Sequence, residues 1–421
     1  MSSEMTESRP ISFDAPLGRR IIDLHVWAVR QGLSGAAAEE LFAGFCRRLA
    51  DAGVPLWRAF AAMRTLHPQW GGYGYSWQRE EEAIERQQFG RRDGPGWRRS
   101  PFAYLLRQAN TGSGAHEPWL HLRRHLTGPD AQLDFPVLEE LAADGGSDYF
   151  AEIVGFGADQ DPSFGTGIAY SFATDRPGGF RDDDLELLQA TLPALSLAMM
   201  SYAGHTIASS LLAAYLGDDA GRRVHSGEIE RGSAESLRAV LWYADIRGFT
   251  AIADATAGGA VIELLDEVFE TLTASLRRRG GQVLKFMGDG MLATFPLEEE
   301  GGARVCREAL DAAAEAQQAL DRLNSARAAA GKPVAEVDLA LHIGEVLYGN
   351  VGAVDRLDFT VIGPAVNEVA RIETLCEPLG HRILVSAELA AAVGDSHRLE
   401  PLGRHRLRGV SEPRAIYALG F

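Results

Sequence analysis

The amino-acid sequence predicts an α+β protein in which two domains are joined by a helical connector. Three observations support that fold class. The 421 residues exceed the usual size of one domain. Six of the seven tryptophans precede residue 120, so the composition changes along the chain. After residue 237, buried strand patterns alternate with long amphipathic helices, which is typical of one sheet covered by helices.

The front half of the chain begins with helical patterns and continues with strand patterns. We predict helices over Leu17–Arg30, over Ala36–Ala52 with Ser34 as its N-cap, and over Leu56–Leu66. From residue 135 to 180, short apolar runs alternate with Gly, Asp and Pro. That alternation favours antiparallel strands.

A further helix is predicted to begin at the acidic segment Phe180–Leu185. Its apolar positions step by three and four residues, but over fewer than three heptads and around Pro193. A helix packed on its own domain and a dimer-forming helix therefore both remain open. Residues 206–236 are interpreted as a helical linker, with residues 1–205 as a regulatory domain and 237–421 as a catalytic domain.

The catalytic segment carries a regular order of elements. Its predicted helices and strands, in chain order, are strand 237–243, helix 260–278, strands 282–287 and 291–295, helix 303–330, strands 337–343, 347–351 and 358–362, and helix 364–375. This order predicts one sheet with helices packed against it.

Composition limits what the protein binds and where it works. The formal net charge of −17 and the lack of a basic tract argue against a nucleic-acid partner. The longest apolar run is shorter than the roughly 20 residues that a membrane span needs, and no signal peptide is expected. Three scattered cysteines fit neither a disulfide framework nor a metal site, so we expect a reducing cytoplasm.

Acidic residues and a rare lysine mark the catalytic segment. Asp245 ends a hydrophobic strand, and Asp289 lies in a glycine-bordered turn between two strands. Carboxylates in such turns are ligands for Mg²⁺, which takes one or two of them together with phosphate oxygens. Lys285 is one of only two lysines among 41 basic residues. An ammonium kept where the chain otherwise uses arginine indicates a role that the flat guanidinium fills poorly.

Four motifs then show that residues 237–421 resemble the catalytic domain of a class III nucleotidyl cyclase, in the bacterial and bicarbonate-responsive branch of adenylate cyclases. The motifs, in family order and spacing, are Trp242–Thr250 (WYADIRGFT), Val283–Gly290 (VLKFMGDG), His342–Gly352 (HIGEVLYGNVG) and Phe359–Arg371 (FTVIGPAVNEVAR). The resemblance implies a ferredoxin-like βαββαβ core with an extended sheet.

The resemblance also implies a metal and phosphate site. Asp245 and Asp289 would hold two Mg²⁺ or Mn²⁺ ions, with the Ile246 carbonyl as an additional ligand. Phe249 and Thr250 begin the following helix, where backbone N–H groups can receive phosphate oxygens. The implied reaction is attack of the ribose 3′-hydroxyl of ATP on its α-phosphorus, which yields cyclic AMP and pyrophosphate.

Four further residues are implied to select and orient the substrate. Lys285 and Thr360 would read the adenine edge, Asn367 would orient the ribose, and Arg371 would stabilise charge at the α-phosphate. Asn367 and Arg371 are four residues apart on a predicted helix and share a face. In the family the metal ligands come from one subunit and these four residues from the other, so the resemblance implies a homodimer with both active sites at its interface.

Two alternative functions remain open. A guanylate or dual-specificity cyclase would share the fold, although recognising guanine typically requires an acceptor such as Glu in place of Lys285. A non-catalytic nucleotide-binding signalling module would have lost motif residues, whereas all six are present. The front domain resembles a GAF-type sensory domain over residues 100–205, and its ligand is not indicated. His116, His121 and His125 are interpreted as part of a solvated face rather than a metal site.

Overall fold

The computed structural model describes residues 16–81, 84–90, 94–111, 119–156, 167–297 and 301–420. The chain divides into two compact units, residues 1–211 and 212–421. Each unit has its own sheet and its own buried apolar clusters.

The first unit contains an antiparallel six-stranded sheet in the order β3-β2-β1-β6-β5-β4. Its helices are α1 (Pro16–Leu33), α2 (Ala38–Asp51), α3 (Pro95–Arg98), α4 (Pro101–Thr111), α5 (Pro136–Ala143) and α6 (Asp182–Leu216), the last of which continues past residue 211. Its strands are β1 (Arg58–Arg64), β2 (Gly72–Gln78), β3 (Glu85–Phe89), β4 (Trp119–His125), β5 (Asp148–Gly155) and β6 (Gly167–Thr174).

Helices cover both faces of this sheet. Buried residues of α1, α2 and α6 pack with Phe150, Tyr170 and Phe172 on one face. Residues of α4 and α5 pack with Tyr149 and Ile153 on the other. Successive residues of one strand therefore enter opposite clusters, as the two-residue period of a strand requires.

Two predictions for the front half are wrong. The segment predicted as a helix over Leu56–Leu66 is strand β1, whose alternate residues are buried and which pairs with β2 and β6. Its alanines favour a helix locally, but pairing on both edges outweighs that preference. The N-cap of α2 is Ala37 rather than Ser34, whose hydroxyl instead donates to the Gln31 carbonyl.

The predicted acidic helix start is confirmed as α6, and the helix continues through Pro193. A proline leaves the preceding turn short of one N–H donor. In that turn the His25 ring donates to the Ala190 carbonyl at 2.6 Å. A side chain from α1 therefore bonds to the helix backbone next to residue 189, whose carbonyl has lost its donor to Pro193.

The second unit follows the predicted order of elements and has an eight-stranded sheet. Its helices after α6 are α7 (Asp218–His225), α8 (Phe249–Ala255), α9 (Gly258–Arg278), α10 (Gly302–Ala329), α11 (Pro364–Glu373), α12 (Cys376–Leu379) and α13 (Ala387–Val393). Its strands are β7 (Ala234–Ile246), β8 (Gln282–Met287), β9 (Gly290–Pro296), β10 (Val337–Gly352), β11 (Leu357–Ile362), β12 (Ile383–Ser386), β13 (Leu399–His405) and β14 (Arg414–Leu419).

The core of the second unit is ferredoxin-like, as predicted. The strand order β13-β14-β12-β10-β7-β9-β8 contains the βαββαβ succession, with β7 central and β11 paired to β10. Helices α9 and α10 pack on one face of the sheet. Helices α7 and α11 pack on the other face. The two strands predicted at 337–343 and 347–351 form the single long strand β10.

Candidate active site

Strand pairing brings Asp245 and Asp289 to the same end of the central sheet. Asp245 is the penultimate residue of β7, and Asp289 lies in the tight turn between β8 and β9. Because Ala244 of β7 pairs with Met291 of β9, that turn lies beside the end of β7. The two carboxylates are 44 residues apart in sequence, and the register alone makes them neighbours.

Gly290 is the residue that lets the two segments approach. A Cβ atom at this buried position would lie 2.8 Å from Oδ1 of Asp245 and 3.4 Å from the Tyr243 hydroxyl. Any larger residue would have to displace the carboxylate. The second glycine of this GDG turn therefore leaves the space that the Asp245 carboxylate occupies.

Two further acids lie beside this pair, and among the described residues only one of them, Asp338, has a cationic partner. Asp338 pairs with Asp245 across β10 and β7 and is 3% exposed. Arg247 holds it with two bonds, at 2.6 Å and 2.9 Å. Glu373, at the end of α11, is 9% exposed. In the described part of the chain, Asp245, Asp289 and Glu373 have no cationic side chain in an ion pair.

Burial and neighbouring carboxylates raise the pKa of two of these acids, Asp245 and Glu373. Burial, then Asp289 and Asp338, raises the pKa of Asp245 to about 6. Burial, then Asp245, Asp338 and Asp289, raises the pKa of Glu373 to about 8. Both shifts have the sign expected where negative charge is in excess. A bound cation would relieve that excess.

The donor set therefore fits a divalent cation completed from outside the chain. Among the described residues, no three His, Cys, Asp or Glu side chains stand close enough to hold a metal ion by themselves. Mg²⁺ needs only one or two carboxylates when phosphate oxygens and water supply the remaining ligands. Ile246, the last residue of β7, follows Asp245 directly and is buried.

The predicted phosphate-binding residues begin a short helix at this end of β7. Gly248 adopts φ +65° and precedes α8, so the chain turns sharply after Arg247. Phe249 and Thr250 are the first two residues of α8, and Phe249 also packs against the apolar cluster beneath the sheet. Their backbone thus follows Asp245 within five residues.

Lys285 and Thr360 lie on neighbouring parts of the same unit. Lys285 is on β8, and its ammonium forms an ion pair with Asp358 on β11. Thr360 is two residues beyond Asp358 and therefore on the same face of β11. The two residues predicted to read the base are brought to one surface by different strands.

Asn367 and Arg371 lie on α11 and are not part of the acidic cluster. Asn367 is exposed and Arg371 is partly exposed, one turn apart. Neither side chain has a hydrogen bond or ion pair with another described residue of this chain. The structure thus separates Asn367 and Arg371, whose side chains have no partner among the described residues, from the acidic cluster and from Lys285, which pairs with Asp358.

Four residues that sequence reasoning missed belong to these sets. Glu373 and Asp358 are acids that carry no turn signature, and only packing shows where they lie. Gly290 could have been recognised from its GDG turn. Tyr243 packs against an apolar cluster, but its hydroxyl adjoins Gly290, and burial followed by Asp245 raises its pKa to about 12.

The histidines of the first unit carry no site in the described residues. His121 and His125 are on strand β4 rather than on a helix. His125 lies 3.5 Å from the Asp148 carboxylate. His116 lies outside the described residues. In the second unit and the first alike, no described helix has both the length and the apolarity needed to cross a membrane.

Comparisons with known proteins agree with this geometry. Residues 234–420 match the family model described as the adenylate and guanylate cyclase catalytic domain. An adenylate cyclase of Anabaena cylindrica is 32% identical over 196 residues, which cover 45% of this chain and 38% of that protein. Adenylate cyclase 1 of Rhizobium meliloti is 28% identical over 197 residues, covering 46% and 29%. The chain thus spans well under half the length of either relative.

Solved structures also match the catalytic segment. The crystal structure of the adenylyl cyclase CyaB from P. aeruginosa has 26% identity and a TM-score of 0.41, covering 45% of this chain and 96% of that one. The guanylyl cyclase Cya2 has 25% identity and a TM-score of 0.40, covering 44% and 93%. The match to the family model, and not the likeness to these structures, assigns residues 234–420 to the class III nucleotide cyclase catalytic domains.

Proposed function

We propose that this protein is an adenylate cyclase that converts ATP to 3′,5′-cyclic AMP and pyrophosphate. The observation that carries the proposal is the acidic cluster of Asp245 and Asp289. It holds excess negative charge in a domain whose family uses divalent metals. Two ions at such a site supply Lewis-acid stabilisation of the attacking and leaving oxygens. Mg²⁺ and Mn²⁺ both suit carboxylate ligands.

Adenine selection is assigned to Lys285 and Thr360. The lysine ammonium only donates hydrogen bonds, whereas the threonine hydroxyl can accept one. Adenine offers an acceptor at N1 and a donor at its 6-amino group, so the pair complements adenine. Guanine offers a donor at N1 and an acceptor at O6, which reverses that pattern. Lys285 therefore favours ATP over GTP.

The remaining residues act by position and charge. Asn367 would hold the ribose so that its 3′-hydroxyl faces the α-phosphorus in line with the departing pyrophosphate. Arg371 would donate to the α-phosphate oxygens as charge develops there. Phe249 and Thr250 would receive phosphate oxygens on their backbone N–H groups. Holding the reacting atoms in this geometry supplies a large part of the rate enhancement.

Two observations support a homodimer with shared active sites. Catalytic domains of this family act as dimers. Among the described residues of their own chain, the side chains of Asn367 and Arg371 have no hydrogen-bond or ion-pair partner, as expected for residues that serve a second copy. Apolar side chains are also exposed around the tip of β8 and the β10–β11 hairpin: Phe286, Met287, Leu347, Val351, Val354, Leu357 and Ile362. A second copy of the chain would cover such a surface.

The connector provides a route for regulation by the front domain, which is proposed to be GAF-like. Within the second unit, Leu216 and Ala220 pack into the cluster that contains Leu284 of β8 and Phe359 of β11. Those strands carry Lys285 and Thr360. Helix α7 is fixed by Arg223, which pairs with carboxylates of Asp219, Glu228 and Glu235. A shift of this helix would therefore move the base-reading strands.

Product formation from ATP and GTP tests the proposal. The full-length chain with Mn²⁺ or Mg²⁺ is expected to form cyclic AMP, and a preference for GTP would overturn the adenine assignment. The pair of changes Lys285→Glu and Thr360→Cys should reduce ATP use far more than it changes folding.

Cytoplasmic location, where ATP is available, is supported by the free state of Cys46, Cys306 and Cys376.

A subunit-mixing experiment tests the shared site. An Asp245→Asn chain and an Asn367→Ala chain are each expected to be inactive alone. Mixed after unfolding and refolding together, they should regain activity. In a mixed dimer, one of the two active sites combines the intact Asp245 of one chain with the intact Asn367 of the other. If mixing restores nothing while each variant still dimerises, all the residues act within one chain.

A further inference from the structure

The ion pair between Lys285 and Asp358 joins two strands across a separation of 73 residues. Lys285 is on β8, just after the register of β8 and β9 shifts between Val283 and Lys285. Asp358 is on β11 and pairs in register with Val351 of β10. Asp358 and Thr360 lie on one face of β11, so the carboxylate holds the ammonium on the side where Thr360 lies.

This pair does little for stability. The side chains of Lys285 and Asp358 are 43% and 49% exposed. Ion pairs with such exposure contribute little to folding, because water solvates both partners well in the unfolded chain. The chain has a matched pair for comparison, since its only other lysine, Lys332, contacts Glu263 at 2.7 Å with side chains 43% and 44% exposed.

We propose that Asp358 is a positioning residue for adenine selection, which acts by holding the Lys285 ammonium at the N1 edge of the base. The inference rests on the proposed adenylate cyclase function. A lysine side chain has four rotatable bonds, and fixing it before the substrate binds removes an ordering cost from the binding step. Asp358 accepts one of the three ammonium N–H bonds, which leaves two for the substrate.

The same contact restricts which base the lysine can serve. A free ammonium can swing toward O6 of guanine, which is an acceptor, and so tolerate GTP. An ammonium tied to Asp358 stays opposite position 1 of the ring, where adenine accepts and guanine carries a hydrogen. Selectivity therefore needs the lysine and its anchor together, and not the lysine alone.

The expected effect of Asp358→Asn follows from these two points. KM for ATP should rise, by roughly 2- to 10-fold, which is the range that the ordering of one flexible side chain corresponds to. The ratio of kcat/KM for ATP over GTP should fall by a similar factor. The value of kcat should change less than KM, because Asp358 acts through Lys285 on the base and not on the reacting phosphate. Asp358→Glu, which retains an anchor, should recover most of the loss.

The experiment measures steady-state kinetics of the full-length protein for Asp358→Asn, Asp358→Glu and the control Glu263→Gln. Substrates are ATP, GTP and purine riboside triphosphate, which keeps the N1 acceptor but lacks the 6-amino group. Each change is repeated in a Lys285→Met background to form a double-mutant cycle. Affinity for α,β-methylene-ATP, measured by calorimetry with Mn²⁺, is the second readout.

Support requires that Asp358→Asn weakens ATP and purine riboside triphosphate equally, and that it has no effect once Lys285 is Met. Glu263→Gln should match the wild type throughout. Loss of the effect with purine riboside triphosphate would show that Asp358 contacts the 6-amino group itself and would overturn positioning through Lys285. An effect that persists in the Lys285→Met background would overturn it as well.

Failure of the proposed function looks different. A wild-type chain that makes no cyclic AMP contradicts the adenylate cyclase assignment whatever Asp358 does. The affinity for α,β-methylene-ATP then decides the inference independently. Weaker binding in Asp358→Asn that depends on Lys285 supports the anchor, and unchanged binding rejects it.

Discussion

Two aspartates, one buried in the first unit and one partly buried in the second, show opposite ways of handling a carboxylate. Asp148 at the start of β5 is fully buried and accepts hydrogen bonds from Arg123 at 2.7 Å, from the Phe180 backbone at 2.9 Å and from the Tyr149 backbone at 3.0 Å. Among the described residues, Asp245 at the end of β7 has no comparable partner, and its neighbours Asp289 and Glu373 are acids. The first carboxylate is satisfied within its own chain, whereas the second stands in an excess of negative charge.

The comparison separates stability from function. A buried charge whose hydrogen bonds and ion pairs all lie within its own chain stabilises the local structure. Removing one partner leaves the other charge buried and unpaired, which destabilises the fold. A cluster of like charges destabilises the fold slightly, and such clusters are found where their electrostatic field binds a ligand of opposite charge. Mutations at the two centres should therefore differ in kind as well as in size.

The largest expected effect is the loss of activity in Asp245→Asn. Cyclic AMP formation should fall by about 1000-fold, as when one electrostatic element of a transition state is removed. Thermal stability should be unchanged or higher, because a repelling charge is lost. The measurements are product formation and thermal unfolding, with the exposed surface change Asp254→Asn as the control.

The same variant tests the ion directly. Mn²⁺ should raise the unfolding temperature of the wild-type catalytic unit by mass action and leave Asp245→Asn unaffected. Equal stabilisation of both proteins, or full activity in the variant, would show that Asp245 holds no catalytic ion.

Asp148→Asn should show the opposite behaviour, with lost stability as its primary effect. The first unit should lose about 3 kcal/mol, because Arg123 is left without its carboxylate partner. Chemical denaturation measures this loss. Asp144→Asn is the control, since its pair with Arg58 is exposed and should contribute less than about 1 kcal/mol. Similar losses of unfolding free energy in both variants would show that the buried ion pair contributes no more than the exposed one.

A third carboxylate, Glu152, is buried without an ion-pair partner in the described part of the chain, and its effect on stability depends on pH. Glu152 of β5 is 1% exposed, and neither of its oxygens has a partner at hydrogen-bond distance among the described residues. Burial raises its pKa to about 8, which the nearby Gln189 amide offsets only in part. Between about 4.5 and 8 the folded chain binds a proton that the unfolded chain releases, so stability falls as pH rises through that window.

Glu152→Gln should therefore stabilise the protein at pH 8 by at least about 2 kcal/mol and change it little near pH 4.5, since the shift exceeds three units and each unit corresponds to about 1.4 kcal/mol. Thermal unfolding across pH measures the difference. Glu139→Gln, at an exposed position on α5, should give a difference independent of pH. A flat profile for Glu152→Gln would show that the buried acid ionises normally.

The smallest effect is expected from Gly290→Ala. The added Cβ would lie 2.8 Å from Oδ1 of Asp245 and so push the carboxylate aside. Activity should fall by roughly 10-fold, because a small displacement of a catalytic group is costly. Gly288→Ala is a poor control since Gly288 has φ +67°, whereas Gly258→Ala at the start of α9 meets open space. Activity retained in Gly290→Ala would show that the turn tolerates the shift.

Local patterns predicted much of the second unit. The strands ending at Asp245 and flanking Asp289, and the helices α9, α10 and α11, follow from hydrophobic period and glycine turns, which are local signals. Strand β1 was mistaken for a helix because an alanine-rich run has no strong local preference for a strand, and only its two neighbours decide its state.

Short segments of the sequence carry the chemistry available to this protein: one aspartate at the end of a strand, another in a turn, a rare lysine and a polar helix face, all within residues 237–421. Tertiary structure alone decided which of these groups meet. Asp358 reaches Lys285 across 73 residues, and Glu373 joins Asp245 through the packing of α11 on the sheet. Such contacts depend on strand register and helix docking, which sum many weak interactions over the whole domain and leave no mark in a short segment.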